Sequence, residues 1–280
     1  MADQITTNTE VDVTIEEIVS TKVQEVLTAT AVMPGLIMDM SSDVGPGMDV
    51  LKLPRFGNFA VQTKVAGVKV DAQTNSFSSD DLALDQHKVI QFLVEDISSL
   101  QSKVSFVQAY VEQAAKDMAA EMDQKCLNDL EANVSASAPD HKRAYAGATL
   151  AKADVLLARQ LLNEAKVPLD GRSAVISPAE EAALLAIAEF VRVDESGGSE
   201  ALRNGRIGKL FGFDMYVSPQ AEDLKSLFFH KTAQVFARQL APRTQSQPDL
   251  ENLAVRWSVD HIYGVKTLDS GKRVVLLGTA

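Results

Sequence analysis

Cysteine is nearly absent from this 280-residue chain, and the single Cys126 excludes an internal disulfide framework. A lone thiol there reads as a small apolar side chain. Histidine is scarce too: His87, His141, His230 and His261 stand singly, none with another at metal-ligand spacing. No run of eighteen apolar residues occurs, so the sequence offers no membrane-spanning helix. The opening MADQITTNTEVDVTIEE has neither the basic nor the apolar region of a secretory signal, and a soluble protein made in a cytoplasm is expected. There is no G-x-S-x-G elbow and no CxxC pair. RNGRIGKL carries Gly208 and Lys209 like a phosphate-binding loop, but Arg203 stands where the first glycine belongs and Leu210 where Ser or Thr belongs. Glu180, Glu181, Glu189, Asp194 and Glu195 show no pairing at catalytic separation and read as solvated. An enzyme reading has no residues to stand on; no catalytic residue, cofactor or metal is expected.

What is present is apolar content and acid. Hydrophobic residues make up 46% of the chain, enough for a substantial core in one or two domains. The net charge of -11 argues against gripping nucleic acid through its phosphates. Residues 98–133 form the longest periodic stretch, free of Pro and Gly, and as a helix would span roughly 54 Å. Ile97, Leu100, Val104, Val107, Val111, Ala114, Met118, Met122, Cys126 and Leu130 recur every three or four residues as one apolar stripe. Ser98 and Gln101 fit a capping box at its start. Glu112 with Lys116, and Glu121 with Lys125, are expected as exposed i,i+4 pairs.

Before that helix, MDVLKLPRFGNFAVQTKVAGVKV and LALDQHKVIQFLV read as two long strand segments joined by a polar tip, DAQTNSFSSDD. Such a hairpin is marginal alone in water. Residues 1–45 carry a weak helical pattern (Ile15, Ile18, Val19, Val23, Val26, Leu27) and then Gly and Pro punctuation, and read as an arm. Beyond the long helix come a second helix over 149–166, a buried strand in SAVIS, a helix opening at Pro178, and strands in FGFDMYVSP, SLFFH and the last thirty residues. The class is α+β. A loose arm, a projecting hairpin and an overlong helix all need neighbours, and identical chains meet that need by repeated symmetric contacts.

The order of parts resembles the major capsid proteins of tailed bacteriophages, the Hong Kong 97-like fold. VLKLPRFGNF followed by LALDQHKVIQFLVEDISSLQS is similar to that family's extended loop returning into its spine helix. LLNEAKVPLDGRSAVISPAEEAALL, NGRIGKLFGFDMYVSP, LFFHKTAQVFA and AVRWSVDHIYGVKTLDSGKRVVLL resemble its axial domain and the passages into and out of it. The resemblance implies an N-terminal arm (1–45), an extended β-hairpin loop (46–92), a peripheral domain with the spine helix (93–171 and 243–280) and an axial domain (172–242). It implies a head protein that self-assembles into hexamers and pentamers of an icosahedral shell around double-stranded DNA. An encapsulin-type nanocompartment shell is the alternative with the same fold; an unrecognised soluble enzyme is the rival of another class.

The implied subunit-interface residues are Arg55 and Phe56 in the loop, where a local turn contact within the chain is the competing role, and Gly197, Gly198, Arg203 and Arg206 at the axial tip. Lys64 and Lys69 also lie in the loop. Some relatives crosslink such a lysine to a neighbour's asparagine with a glutamate assisting, but no matching signature assigns those partners here, and solvated lysines are the plainer reading. With about 45 residues before the loop, a separate scaffolding protein is expected, beside a portal and a decoration or cement protein. The place of action implied is the virion capsid, assembled in the host bacterial cytoplasm.

Overall fold

The computed structural model of the chain describes residues 31–45, 47–57, 59–67, 69–75, 77–95, 106–136, 140–186 and 208–278. The helical pattern over 15–27, the Ser98–Gln101 cap and the axial-tip residues Gly197, Gly198, Arg203 and Arg206 lie outside them.

Among the described residues there are four α-helices: α1 (Met33–Leu36), α2 (Phe106–Ala132), α3 (Lys152–Glu164) and α4 (Pro178–Leu185). Twelve strands accompany them among the same residues. β1 (Met38–Asp39), β10 (Gln234–Asp249), β11 (Ala254–Thr267) and β4 (Gln86–Glu95) form a four-stranded sheet in the order β1-β10-β11-β4. A six-stranded sheet runs β5-β12-β9-β6-β8-β7, from β5 (Lys142–Arg143), β12 (Val274–Gly278), β9 (Lys225–His230), β6 (Arg172–Ile176), β8 (Phe213–Val217) and β7 (Lys209–Leu210). Among the described residues β2 (Val50–Phe56) and β3 (Phe77–Ala83) pair with each other alone.

The six-stranded sheet is covered on both faces, and strand alternation shows it. Val175, Leu227, Phe229, Val274 and Leu276 turn toward α2, while Ala174, Ile176, Phe228, Val275 and Leu277 turn toward α3 and α4. Every residue of β6 is buried for that reason. The four-stranded sheet carries α2 on one face, through Phe236, Val259 and Tyr263. Helix α2 thus bridges both sheets and buries Val111, Ala114, Met118, Met122, Cys126 and Leu130, as the stripe predicts. Its buried face is wider than the stripe, taking in Ala115, Ala119 and Leu127. At about 40 Å over its described 27 residues, it is the rod on which two sheets converge.

Two expected ion pairs on α2 are replaced. Glu121 is held by Lys88 of β4 at 2.6 Å and accepts a hydrogen bond from the Tyr263 hydroxyl at 2.8 Å, because the sheet lies beneath it; the partner on its own helix was the wrong one. Gln108 donates to Glu112 at 3.3 Å.

The second leg of the hairpin also differs from expectation. It is β3, inside the polar run, whereas QHKVIQFLVE forms β4 in the four-stranded sheet. The apolar alternation of β4 marks a strand with a core beneath it. The hairpin has no core under most of its length, so Ser78, Ser79, Asp80 and Asp81 serve in its ladder. Strand β10 runs without interruption past residue 242, and β12 returns to the six-stranded sheet, so the last strand borders the elements expected of the axial domain.

His261 on β11 is buried against Tyr263, and its Nε2 has no hydrogen-bond partner among the described residues. Burial pushes its imidazole pKa down to about 4, aided by Arg238 and Lys88 and opposed by Glu121 and Asp260. The unfolded chain therefore binds the proton first. The stability contribution is whole above pH 6.5 and is lost as pH falls toward 4, by about 3 kcal/mol for this group. Urea midpoints of the unassembled chain should fall across that window, and His261→Phe should flatten the fall; an unchanged slope in the variant would refute the assignment.

Candidate assembly surface

Two segments leave the packed body, and each is fastened differently. The first is residues 31–45. Asp123, buried in the middle of α2, accepts hydrogen bonds from the Val32 and Met33 amides at 3.0 and 2.9 Å. Those amides open α1, where no residue of the segment itself supplies a side-chain cap, so the long helix caps the short one. Burial raises the Asp123 carboxyl above its ordinary range, and the two amides pull it back. Met33 and Ile37 are fully buried beside it. Farther on, β1 pairs parallel with β10, and Ser41 Oγ accepts from the Arg238 amide at 3.0 Å. The buried Asp123 was not singled out in the sequence. Its signal is an acidic residue one position from Met122 in the apolar stripe, and nothing local names its partner.

The second segment is the hairpin. Its base is packed: Leu51, Leu53, Leu82 and Leu84 meet Val235, Ala237, Met40 and Val44 in a small core of their own. Gly264 permits the close approach of this base, since a Cβ there would stand 2.3 Å from the Ala83 carbonyl oxygen. Beyond Pro54 the burial stops. Phe56 and Phe77 meet edge to face with ring centroids 5.5 Å apart, yet both are exposed. The connection over residues 57–76 carries Phe59, Val61, Val65 and Val70, all exposed. Strand is expected over 61–70, but no ladder forms there among the described residues. Instead the Gln73 side-chain amide bridges the two limbs, accepting from the Ala60 N–H at 2.9 Å and donating to its carbonyl at 2.7 Å. Asn75 Nδ2 donates to the Gly57 carbonyl at 2.9 Å. Lys64 and Lys69 are both exposed here.

Arg55 sits where the hairpin leaves the body. Its guanidinium is 3.8 Å from Asp80 across the ladder and 3.8 Å from Asp269, which follows β11. Asp269 holds a left-handed backbone conformation, φ 54°, and also pairs with Arg273 at 3.4 Å. A cavity of about 500 Å³ opens between hairpin and body, lined by Arg55, Phe56, Asp80, Asp269, Lys272 and Arg273. The structure thus brings Arg55 and Phe56 together at the neck of the hairpin, with Arg55 engaged inside its own chain. Lys64 and Lys69 are placed away, toward the tip.

Several buried polar side chains close the ends of helices. Arg172 is buried with its guanidinium on the carbonyls of Val167 and Pro168 and on Asn163, closing the end of α3. Asp154 accepts from the Ala146 and Ala151 amides at 2.9 Å each, closing its beginning. Ser177 donates to Glu180, so that carboxylate, expected to be solvated, is buried at the start of α4. Among the described residues no group of three or more His, Cys, Asp or Glu side chains could hold a metal ion, and no helix is long and apolar enough to cross a membrane.

Comparison with known proteins gives one consistent answer. No curated protein matches the chain. Solved structures do: one described as Mycobacterium phage Che8 is 26% identical, with a TM-score of 0.75 over 88% of this chain and 90% of that one. The mature capsid of bacteriophage PhiM1 is 17% identical with a TM-score of 0.68, covering 89% and 86%. A virus-like particle from Pyrococcus furiosus is 11% identical with a TM-score of 0.61, covering 94% and 99%. The family model described as phage capsid protein matches residues 88–275, from β4 to β12. With that match over well more than half its length, and the Hong Kong 97-like arrangement of helix and sheets around it, the chain belongs to the phage capsid protein family.

Proposed function

We propose that this capsid protein is the repeating unit of an icosahedral phage head, forming hexamers and pentamers that close around double-stranded DNA. The observation that carries the reading is the hairpin. Exposed Phe and Val side chains on a limb with no core of its own are costly for a protein that stays alone. They become useful when the limb crosses a neighbouring copy and buries them, as obligate interfaces do. Residues 1–45 are the arm in this reading, and 172–242 the axial domain, with Gly197, Gly198, Arg203 and Arg206 at its tip. Lys64 and Lys69 meet the neighbour from the loop, and Arg55 holds the neck. The net charge of -11 suits a container that must release its contents. A scaffolding protein, a portal and a decoration protein complete the set of partners, and assembly takes place in the host bacterial cytoplasm.

The test is electron microscopy and size-exclusion chromatography of the full chain, expressed alone and with its neighbouring genes. Closed shells or tubes are expected. Nucleic acid inside them upholds the head reading, whereas a protein cargo points to the nanocompartment alternative. A monomer under every condition overturns both.

A further inference from the structure

Among the described residues, two strand-to-strand connections join the four-stranded and six-stranded sheets, and they lie side by side. β9 passes to β10 through a 3-10 turn, Lys231–Ala233, and β11 returns to β12 through residues 268–273. Hydrogen bonds tie the two together. The Leu268 amide donates to the Ala233 carbonyl at 2.8 Å. The Arg273 guanidinium donates to the Thr232 hydroxyl at 2.7 Å and to its carbonyl at 3.3 Å.

His230, the last residue of β9, gives the first connection its shape. It is 8% exposed and caps the turn: its Nδ1 accepts from the Thr232 amide at 3.2 Å and lies 2.8 Å from the Thr232 hydroxyl. Its Nε2 is 2.9 Å from the Asp170 carbonyl, which can only accept, so the neutral ring carries its proton on Nε2 and leaves Nδ1 bare. The Thr232 hydroxyl then gives its hydrogen to Nδ1 and a lone pair to Arg273. A proton on Nδ1 turns that nitrogen from acceptor to donor. The Thr232 amide loses its bond, the hydroxyl must turn its hydrogen away, and the turn is left without its cap. The charges around the ring oppose that proton. Arg172 pairs with His230 across the strands, Arg273 reaches it from the other connection, and Lys231 follows it; Asp170 meets it through its carbonyl, and Asp269 stands behind Arg273 at 3.4 Å. Burial holds the imidazole below its ordinary range, Arg273 and Arg172 push the same way, and the Asp170 bond opposes them.

We propose that His230 is a proton-operated clasp between the two sheets: neutral, it shapes the turn that grips residues 268–273, and protonated, it lets them go. The direction follows from linkage. Once the turn opens and water reaches the ring, the imidazole binds its proton more readily than in the closed state, so protons favour opening. The clasp is closed above about pH 6.5 and loosens as pH falls below it. The released side chains have space to move into, since Asp269, Lys272 and Arg273 line the cavity at the hairpin neck. What opens is the pair of connections alone. The middle of β9 stays paired with β6 and β12 on its two sides. The clasp belongs to the single chain, and its test does not depend on the shell reading.

Amide exchange of the unassembled full chain between pH 7.5 and 5, corrected for the intrinsic rate, decides it. Protection of the Thr232 and Leu268 amides should fall about tenfold for each pH unit below ~6.5, the slope of one bound proton, while Leu227 and Phe228 keep theirs. His230→Asn supplies the turn with an acceptor that binds no proton, and in that variant the two amides should keep one level of protection throughout. His261 is present in both chains, so the difference between them reports His230 alone. Unchanged protection in the wild-type chain overturns the proposal. So does an equal fall in the variant, or a fall that Leu227 and Phe228 share, which would be unfolding of the whole chain. Should His230→Asn fail to fold, nitrogen NMR of the wild-type imidazole decides instead. The Nε2–H tautomer is expected at pH 7.5, with a titration midpoint below 6.5 that coincides with the loss of Leu268 protection; the other tautomer, or a midpoint apart from that loss, overturns the clasp.

Discussion

A chain lacking residues 59–74 should fold as the full chain does and form no closed shells. The deletion leaves Gly57, Asn58, Asn75 and Ser76 between Phe56 and Phe77, which face each other at the end of the ladder, so four residues suffice to turn the hairpin. None of the removed side chains belongs to any of the three buried clusters, and the packed base with Leu51, Leu53, Leu82 and Leu84 is untouched. Folding stability should therefore move by no more than about 0.5 kcal/mol, the range of surface changes. Assembly should drop below detection, because Phe59, Val61, Val65 and Val70 go together and the repeated contact loses its apolar part. Urea unfolding of the unassembled chain and particle counts by electron microscopy read the two halves separately. Shells of normal yield would remove the hairpin from the assembly reading; an unfolded variant would show that the limb supports the body.

The long helix was legible because its periodicity and its environment agree. A stripe from Val111 to Leu130 needs a broad apolar floor, and two sheets supply it. The strand β6 was legible for a related reason, being buried on both faces and apolar throughout. The hairpin misled where burial no longer dictates sequence. Its second leg is Phe77–Ala83, a run whose Ser and Asp residues read as a turn, while 61–70 reads as strand and has no ladder among its described residues. Hydrophobic alternation reports a half-buried surface, not a backbone state, and a limb destined for a partner carries the pattern of an interface before it has one. Asp123 was hidden in the opposite way: its two acceptor bonds reach back ninety residues, and no local window contains both ends. Arg55 was placed by resemblance in the loop, and geometry adds that it also ties that loop to Asp269.

Gly271→Ala should be among the most damaging single-methyl changes in the molecule. Gly271 ends the short helical turn between β11 and β12 with φ at 70°, a conformation that costs an L-residue about 1–2 kcal/mol. A Cβ there would also stand 1.8 Å from the Asn133 carbonyl oxygen and 2.8 Å from the Ser135 amide, both on the backbone that leaves α2. Neither atom can swing aside as a side chain would, so the turn and the end of the long helix must separate. The amide of Ser135 donates to the Gly271 carbonyl at 3.4 Å, and that bond is lost with the separation. Overpacking adds roughly 1–3 kcal/mol, for a total of about 2–5 kcal/mol. Gly147→Ala is the matched control, since nothing lies within 4 Å of its Cβ position and its φ is ordinary. Urea midpoints of the two unassembled variants should differ accordingly. A wild-type midpoint for Gly271→Ala would mean that the connector and the end of α2 are not in the close contact that locks the spine helix onto both sheets.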